Sequence, residues 1–413
     1  MNLKLSLSFP IYNFKAIALL KSLLRYIKYF LLITFLPERK LIPKSYYQYK
    51  HFKNLPPVDH SHKFNALRSA VTWLITAQKA TGDNGFGSYH LVHGWSSSYP
   101  ETTGYIIPTL LEYARKHNQP EAAAAAIKAA DFLVDIQKIS GGWQGGRVNE
   151  NRPEIVFNTG QVIRGMIAVF ERTGQQKYLE AAAKAGDWLV SIQHPEGYWK
   201  KHALMEEARV YDTFVDVPLI MIARATGNDK YKAAAVKNLD WAVEKKMQPN
   251  GWFEDCDNTV RRNDKPILHT IAYTLDGLID SGLLLSEKRY SDAATIGAKV
   301  LMEQFLAQGS LKGRYDRNWT GSEYLICTGG AQMAIAWMKL FKAGKGDNFK
   351  VAARKMLDFL VFIQLRETTE RPRTGGAIPG SYPIWGRYEP FAFPNWATKF
   401  YCDALMLEEE IDA

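Results

Sequence analysis

The stretch "EAAAAAIKAADFLVDIQKISGGWQGGRVNENRPEIVFNTGQ" (121–161) contains the pattern that decides the fold. An Ala- and Leu-rich amphipathic helix ends in Ile136-Gln137, a Gly-Trp loop follows, and a second helix begins in the polar sequence FNTGQ (157–161). A unit of two such helices cannot bury both of its apolar faces alone. The stretch therefore predicts a repeat whose copies pack side by side.

The unit recurs along most of the chain. The second helices begin near ETTGY (101), FNTGQ (157), YDTFV (211), LHTIA (268), CTGGA (327) and PNWAT (394), and the first five starts lie about 56 residues apart. Six hairpins can close into a ring, with the first helices outside and the second helices inside. We therefore predict an all-α fold, an (α/α)6 toroid over 61–413, after an N-terminal segment and linker at 1–60.

The composition narrows the choice of partner. The net charge of +10 favours an acidic ligand or surface, and no helix-turn-helix, zinc-finger or RNP-like motif supports nucleic acid. Cys256, Cys327 and Cys402 lie far apart without a C-x-x-C pair, which argues against a disulfide framework or structural zinc. No metal or cofactor is expected, and the cysteines favour a cytoplasmic location.

The segment AIALLKSLLRYIKYFLLITFLPERK (16–40) predicts a basic amphipathic helix. Lys21, Arg25 and Lys28 interrupt its apolar residues at helical spacing, and the uninterrupted part, 29–37, is shorter than the roughly 20 residues that a membrane span needs. Two interpretations stay open. The helix lies on the inner membrane as a peripheral anchor, or it packs on the surface of the toroid.

In a toroid of this kind the inner helices run parallel, so their N-termini meet at one mouth. The small and polar residues at these starts, such as Cys-Thr-Gly-Gly (327–330), are expected to cap free backbone N–H groups and to leave space for a substrate. The aromatic loops lie at the same mouth. We therefore predict a pocket there.

Aromatic rings among hydrogen-bonding groups suit a sugar, and loop arginines suit its carboxylate or sulfate groups. Hydrolysis would need two carboxyl groups across a glycosidic bond. A lyase or C5-epimerase of uronates would need a base beside the acidic C–H and a cation near the carboxylate. The expected catalytic residues are Glu101, Tyr211, Asp212, His269 and Tyr273; the expected substrate-binding residues are Tyr99, Trp143, Arg147, Asn158, Trp199, Trp252, Arg317, Trp319, Tyr382, Arg387 and Asn395.

The repeats resemble the six-hairpin toroid superfamily, which includes polysaccharide lyases, unsaturated-uronyl hydrolases, sugar epimerases and prenyltransferase or terpene-cyclase repeats. QKISGGW (137–143) and QHPEGYW (193–199) match the Q-x-x-x-G-x-W pattern of the cyclases, and DCDNTV (255–260) is similar to their acid motif, with Asn258 in place of its last Asp. SYPETTGYIIPTLLEYA (98–114) and GSYPIWGRYEPFAFPNWATKFYCDAL (380–405) look like proteins of bacterial surface-polysaccharide clusters, and the layout is similar to the helical domain of glucuronyl C5-epimerases.

The leading prediction is an enzyme that modifies an acidic polysaccharide or oligosaccharide by abstracting a C5 proton, as an epimerase or a lyase does. Three alternatives stay open: a glycoside hydrolase, a non-catalytic toroid that binds a glycan or a glycosyltransferase, and a terpene-cyclase-like enzyme.

Overall fold

The computed structural model describes residues 12–51, 55–259, 262–365 and 373–412. Within these ranges the chain forms fourteen α-helices: α1 (Tyr12–Thr34), α2 (Leu41–His51), α3 (His60–Thr81), α4 (Pro100–His117), α5 (Pro120–Asp135), α6 (Val156–Thr173), α7 (Gln176–Ser191), α8 (Thr213–Thr226), α9 (Asp229–Trp241), α10 (Leu268–Leu285), α11 (Lys288–Gln308), α12 (Cys327–Lys342), α13 (Asp347–Ile363) and α14 (Asn395–Asp412). Seven two-residue strands lie in the loops: β1 (Tyr89–His90), β2 (Gly94–Trp95), β3 (Arg314–Tyr315), β4 (Gly321–Ser322), β5 (Leu325–Ile326), β6 (Ser381–Tyr382) and β7 (Ala392–Phe393).

The helices from α3 to α14 form two concentric rings. The even-numbered helices from α4 to α14 pack against one another in order, and α14 packs against both α4 and α3, which closes the ring. Inner helices are buried almost all round, as α10 is from Leu268 to Ile279. Outer helices bury only a stripe, which in α5 is mainly alanine. The structure confirms the predicted (α/α)6 toroid.

Glutamines at the ends of outer helices connect neighbouring repeats. The Nε2 atom of Gln137 donates to the carbonyl oxygens of Gly141, in its own loop, and Ala181, in the next outer helix, both at 2.8 Å. Gln78 and Gln193 make the same pair of bonds one repeat away on either side. Gln364 donates to Ala66 at 2.9 Å and so joins the last outer helix to the first. The Gln of the Q-x-x-x-G-x-W pattern therefore has a structural role in this chain.

The glycines near the inner-helix starts allow close helix packing. A Cβ atom on Gly329 would lie 2.8 Å from Cγ of Leu268 in α10, and one on Gly104 would lie 2.5 Å from Cα of Val162 in α6. Cys327 and Thr328 are fully buried. The expectation that Cys-Thr-Gly-Gly leaves space for a substrate was therefore wrong, because neighbouring helices fill that space.

The threonines at the helix starts hold loops rather than cap helices. The Oγ1 atoms of Thr103 and Thr159 accept the backbone N–H groups of Phe86 and Trp143, each at 3.0 Å. The residues that precede α4, α6, α10 and α12 make no side-chain hydrogen bond to the helix. Each of these threonines therefore ties an aromatic loop to the inner helix that follows it, and the capping expectation was wrong at these starts.

The two ends of the ring differ in their connections. At the C-terminal ends of the inner helices, short turns such as Asn118-Gln119 lead to the outer helices. The longer loops lie at the N-terminal ends, where two short antiparallel pairings link different repeats: Tyr89 of β1 pairs with Phe393 of β7, and Leu325 of β5 pairs with Tyr382 of β6. This end, called the N-terminal mouth below, therefore carries most of the irregular structure.

The C-terminal end contains a cavity of about 320 Å³ in which several charged groups are paired. Lys339 Nζ lies 2.6 Å from an Asp276 oxygen and 2.8 Å from an Asp280 oxygen. Lys399 Nζ lies 2.6 Å from an Asp403 oxygen. The two pairs of Lys339 link α12 to α10, whereas the pair of Lys399 lies within α14.

Helix α1 packs along the loop before α14. Its Tyr26, Tyr29 and Phe30 rings contact Phe391 with centroid separations of 5.9, 5.8 and 5.2 Å. The Tyr26 hydroxyl donates to the Gly386 carbonyl at 3.5 Å. The interpretation in which this helix packs on the toroid therefore holds for one of its faces.

Candidate active site at the N-terminal mouth

A cavity of about 240 Å³ lies where the inner helices begin. Its lining comes from α4, α6, α10, α14, the turn before α8 and three loops: Tyr99, Glu101, Thr102, Tyr105, Ile155, Phe157, Asn158, Leu204, Tyr211, Asn258, His269, Thr270, Tyr273, Tyr388, Glu389 and Trp396. Six of the eight residues with aromatic or imidazole rings are tyrosine or histidine, so the wall offers both flat surfaces and hydrogen-bonding groups. The predicted pocket is present at the predicted mouth.

Glu101 is the acid of the first turn of α4. The hydroxyl of Tyr99, which immediately precedes the helix, donates to its Oε2 at 2.6 Å. Burial raises the pKa of Glu101 to about 7, and the Tyr99 hydrogen bond opposes that rise. Near neutral pH this carboxyl group therefore exists in both protonation states, as a group that both removes and returns a proton requires.

His269 lies in the first turn of α10 and is held by α12. Its Nδ1 donates to Oε1 of Gln332 at 2.7 Å, and burial lowers its pKa to about 4. The imidazole is therefore neutral at neutral pH, and its Nε2 carries the lone pair. It can accept a hydrogen bond from a sugar hydroxyl.

Tyr211 and Tyr273 contribute hydroxyl groups that stay protonated. Burial raises the pKa of both well above 10, and the nearby carboxyls, Asp212 for Tyr211 and Glu101 for Tyr273, raise it further. Within the described residues, the Tyr273 hydroxyl has no hydrogen-bond partner. Phe157 and Phe214 hold its ring at centroid distances of 4.9 and 4.6 Å, so the position of this hydroxyl is fixed by packing.

Asp212 lies beside the cavity and not in its lining. It is buried, and burial raises its pKa to about 8 while Arg209 opposes the rise. Its Oδ2 finds no hydrogen-bond partner in the part of the chain that the structure describes. The predicted catalytic set is therefore present in the cavity except for Asp212, which lies behind Tyr211.

The loop before α14 supplies residues outside the expected site. Tyr388 and Glu389 line the cavity, and Trp396 Nε1 donates to the Tyr388 hydroxyl at 3.0 Å. Desolvation raises the pKa of Glu389, and the charge of Arg147 opposes that rise. The signal that could have identified this group is the run RYEPFAFPNW (387–396), which places an acid between aromatics directly before an inner helix.

Four predicted stacking residues lie elsewhere. Trp143, Trp199, Trp252 and Trp319 are buried, and none lines the cavity. The indole N–H of Trp143 donates to the Leu133 carbonyl at 2.8 Å, and that of Trp199 donates to the Leu189 carbonyl at 2.9 Å. Trp252 and Trp319 likewise donate to the carbonyls of Tyr315 and Asn250. These indoles anchor loops, because a buried indole N–H needs an acceptor.

The remaining substrate-binding candidates divide by position. Tyr99 and Asn158 line the cavity, and the charge of Arg147 lowers the pKa of Glu389.

The other candidates lie outside the cavity. Asn395 is fully buried and donates to the carbonyls of Phe86 and Gly87, while Tyr382 lies in a separate hollow beside α13. Arg317 and Arg387 are exposed, and neither lines the cavity.

Two negative findings apply to the described residues. No three His, Cys, Asp or Glu side chains in those ranges cluster as metal ligands would. No helix in them is both long and apolar enough to cross a bilayer.

No protein-family model and no curated protein matches the chain. Solved structures with similar folds include an unsaturated glucuronyl hydrolase specific for heparin (TM-score 0.69, 15% identity, covering 86% of this chain and 98% of that one). They also include cellobiose 2-epimerase from Bacillus thermoamylovorans (0.68, 12%, 85% and 98%) and unsaturated glucuronyl hydrolase from Bacillus sp. GL1 (0.66, 13%, 83% and 96%). At these identities the likeness shows the fold alone, which is the (α/α)6 toroid expected from the repeats.

Proposed function

We propose that the chain is a carbohydrate-active enzyme that transfers protons to and from a sugar unit of an acidic glycan. The observation that carries the proposal is Glu101, a half-buried carboxyl with a pKa of about 7, hydrogen-bonded by Tyr99 in a cavity rich in tyrosine. The structural likeness to an unsaturated glucuronyl hydrolase and to cellobiose 2-epimerase supports sugar chemistry as the class.

In the leading mechanism Glu101 removes the proton from C5 of a uronate. The C–H electron pair moves into the adjacent carboxyl group and forms an enediolate, and the proton goes to Glu101. Tyr273 and Tyr211, both protonated, donate hydrogen bonds to the oxygen that becomes negative. A tyrosine hydroxyl of the cavity then gives its proton to the opposite face of C5, which yields the epimer, and the proton on Glu101 restores that hydroxyl. Alternatively, the electron pair expels the C4 oxygen, which leaves with the proton from Glu101, and an unsaturated product forms.

One observation favours hydrolysis as the second candidate. Glu101 and Glu389 both line the cavity, so the site holds the two carboxyl groups that cleavage of a glycosidic bond requires. Glu101, whose pKa is about 7, would protonate the leaving oxygen. Glu389 would activate water or attack the anomeric carbon.

The terpene-cyclase alternative finds no support at its key residue. Asp257 does not line the cavity. Its Oδ1 lies 3.0 Å from Nη1 of Arg314 and accepts the backbone N–H of Ile267, and its Oδ2 accepts the Thr259 hydroxyl. This carboxylate is occupied by structural bonds.

The decisive experiment incubates the chain with acidic and neutral oligosaccharides in D₂O and analyses the products. Deuterium at C5 without cleavage identifies an epimerase, ultraviolet absorbance of an unsaturated uronate identifies a lyase, and new reducing ends without that absorbance identify a hydrolase. Binding without any chemical change would overturn the enzyme proposal and favour a glycan-binding toroid.

We also propose that α1 rests on an anionic membrane surface. Opposite its packed face, Leu20, Leu23, Leu24, Ile27 and Leu31 form a stripe, each at least 46% exposed. Lys21, Arg25 and Lys28 are exposed alongside that stripe. An apolar stripe flanked by cations is the arrangement that enters the headgroup region of anionic lipid.

Co-sedimentation with vesicles tests this second proposal. The chain should sediment with vesicles that contain phosphatidylglycerol, and the double variant Leu24→Glu/Leu31→Glu should remain in the supernatant. Leu283→Glu, at a residue that is 52% exposed outside α1, serves as the matched control and should sediment like the unaltered chain. Equal sedimentation of the α1 variant would contradict the proposal.

A further inference from the structure

Three guanidinium groups converge on one carboxylate beside the N-terminal mouth. Glu323 has Arg387 Nη1 at 3.3 Å, Arg262 Nη1 at 3.5 Å and Arg314 Nε at 3.5 Å. The three arginines come from three different loops, and Glu323 connects them. These four side chains are called the arginine cluster below.

The charges in this cluster do not balance. Arg314 is also bound to Asp257, at 3.0 Å, and to the Lys265 carbonyl. In the described parts of the chain, Glu323 is the only carboxylate within 4.0 Å of Arg262 or Arg387. Three cations therefore share two carboxylates, and one positive charge is in excess.

Arg262 and Arg387 make only weak ion pairs. Their side chains are 38% and 69% exposed, respectively. Their distances to Glu323 exceed the roughly 2.7–2.9 Å of a strong charge-assisted hydrogen bond. They are therefore free to turn toward a bound anion without losing a tight ion pair.

The cluster lies next to the cavity of the candidate active site. Arg387 directly precedes Tyr388 and Glu389, which line the cavity. On its other side lies an open groove of about 710 Å³, called the outer groove, between α1 and the loops that carry Glu323 and Arg387. Tyr26, Tyr324 and Trp385 contribute aromatic surface to this groove, and Lys312 adds a further cation.

The sizes of the two spaces suggest how a chain of sugars would bind. A cavity of about 240 Å³ is smaller than the roughly 300–1,000 Å³ of pockets that enclose drug-sized ligands, so it accommodates about one sugar ring. Further units of a polymer must lie outside the cavity. The outer groove offers them aromatic faces together with positive charge.

We propose that the outer groove is a subsite for a negatively charged sugar unit, and that Arg262 and Arg387 bind its carboxylate or sulfate group in place of Glu323. In the free protein Glu323 contacts both guanidinium groups, and the anionic group of the ligand replaces Glu323 in these contacts when it binds. This inference rests on the proposed function, because it assigns the neighbouring unit of the same glycan.

Binding of uronate tetrasaccharides, each compared with its own methyl ester, tests the proposal. The ester keeps the backbone and removes the charge. Titration calorimetry with galacturonate, mannuronate and glucuronate series should show at least one acid form that binds more tightly than its ester. In Arg262→Gln/Arg387→Gln that acid form should lose at least about tenfold in affinity, while the ester is unaffected.

Two further variants sharpen the result. Arg172→Gln removes an exposed arginine in the last turn of α6, outside the cluster, and should change neither affinity. Glu323→Gln removes the internal competitor and should tighten binding of the acid form. If no acid form binds better than its ester, or if the double variant binds both as the unaltered chain does, the proposal is overturned.

The outcome is separable from that of the proposed function. Glu101→Gln should abolish turnover and keep the preference for the acid form, because Glu101 lies in the cavity and not in the cluster. Charge-dependent binding without turnover in the unaltered chain would support the subsite and contradict the enzyme. Turnover without a preference for the acid form would support the enzyme and contradict the subsite.

Discussion

At the C-terminal end of the ring, the carboxylates of Asp276, Asp280 and Asp403 meet lysines at 2.6 to 2.8 Å. At the N-terminal mouth, Glu101 and Glu389 share a cavity in whose described lining no lysine or arginine occurs. Tyr105 lines both spaces and separates them. The inner helices thus pair these aspartates with lysines at one end, whereas at the other end no cation occurs in the described lining and burial raises the pKa of Glu101 to about 7.

The largest effect is expected from removing the acid at the N-terminal mouth. Glu101→Gln cannot exchange a proton and should lower kcat by about 10²–10⁴-fold, the usual contribution of a general acid or base. Glu112→Gln alters an acid in the cavity at the other end and should leave kcat unchanged. Steady-state kinetics, on whichever oligosaccharide the incubation in D₂O shows to be a substrate, measures both variants. Equal losses of kcat would remove the functional distinction between the ends.

Breaking the ion pairs at the C-terminal end should affect folding instead. Lys339→Met leaves Asp276 and Asp280 without their cation and should lower the free energy of unfolding by about 3–5 kcal/mol. Urea titration measures this value. Lys299→Met breaks an exposed pair with Glu303 and should cost less than about 1 kcal/mol. A small effect at Lys339 would mean that these pairs do not support the ring.

The pH dependence of stability should carry the signature of Glu101. Its pKa is raised from 4.5 to about 7, so the folded chain holds a proton that the unfolded chain has lost. The contribution of this group to stability therefore falls as pH rises from 4.5 to 7, in total by on the order of 3 kcal/mol. Glu101→Gln should be more stable than the unaltered chain at pH 8 and similar to it at pH 4. A difference of the opposite sign at pH 8 would contradict the burial of this carboxyl.

The smallest effect is expected from the hydrogen bond to Glu101. Tyr99→Phe removes a donor that stabilises the carboxylate, so the pKa of Glu101 should rise further. The pH at which kcat is half-maximal should move upward, and kcat at the optimum should change by less than about tenfold. Phe157→Leu alters the cavity wall without touching the carboxyl, and its pH profile should stay in place. An unmoved profile in Tyr99→Phe would show that this bond does not tune the acid.

The sequence predicted the toroid well because its signal is repeated. Six copies of a helix pair with a Gly-aromatic loop leave little alternative to a closed ring, and the mouth that holds the cavity follows from the parallel inner helices. Glu101, His269 and Tyr273 were predicted because they occupy the first one or two turns of inner helices, which point at that mouth by geometry.

Side chains within the loops could not be assigned in the same way. Trp143 and Trp199 carry the aromatic signal of a binding loop, yet their indoles are turned inward to reach a backbone carbonyl. Glu389 was missed although the run RYEPFAFPNW places it among aromatics, because the direction of its side chain depends on how the loop before α14 packs against α1. The spacing of the repeats thus predicts at which end of the ring a residue lies, whereas the direction of its side chain depends on contacts with distant repeats.

The bond from Gln364 to Ala66 joins residues 298 positions apart and has a consequence for the order of assembly. The ring closes where α14, the last helix of the toroid, packs against α3, the first. During synthesis α3, the first outer helix, therefore lacks its packing partner α14 until the end of the chain leaves the ribosome. A chain that stops before residue 395 therefore cannot close the ring, and the apolar faces at both ends of the open arc stay exposed to other molecules.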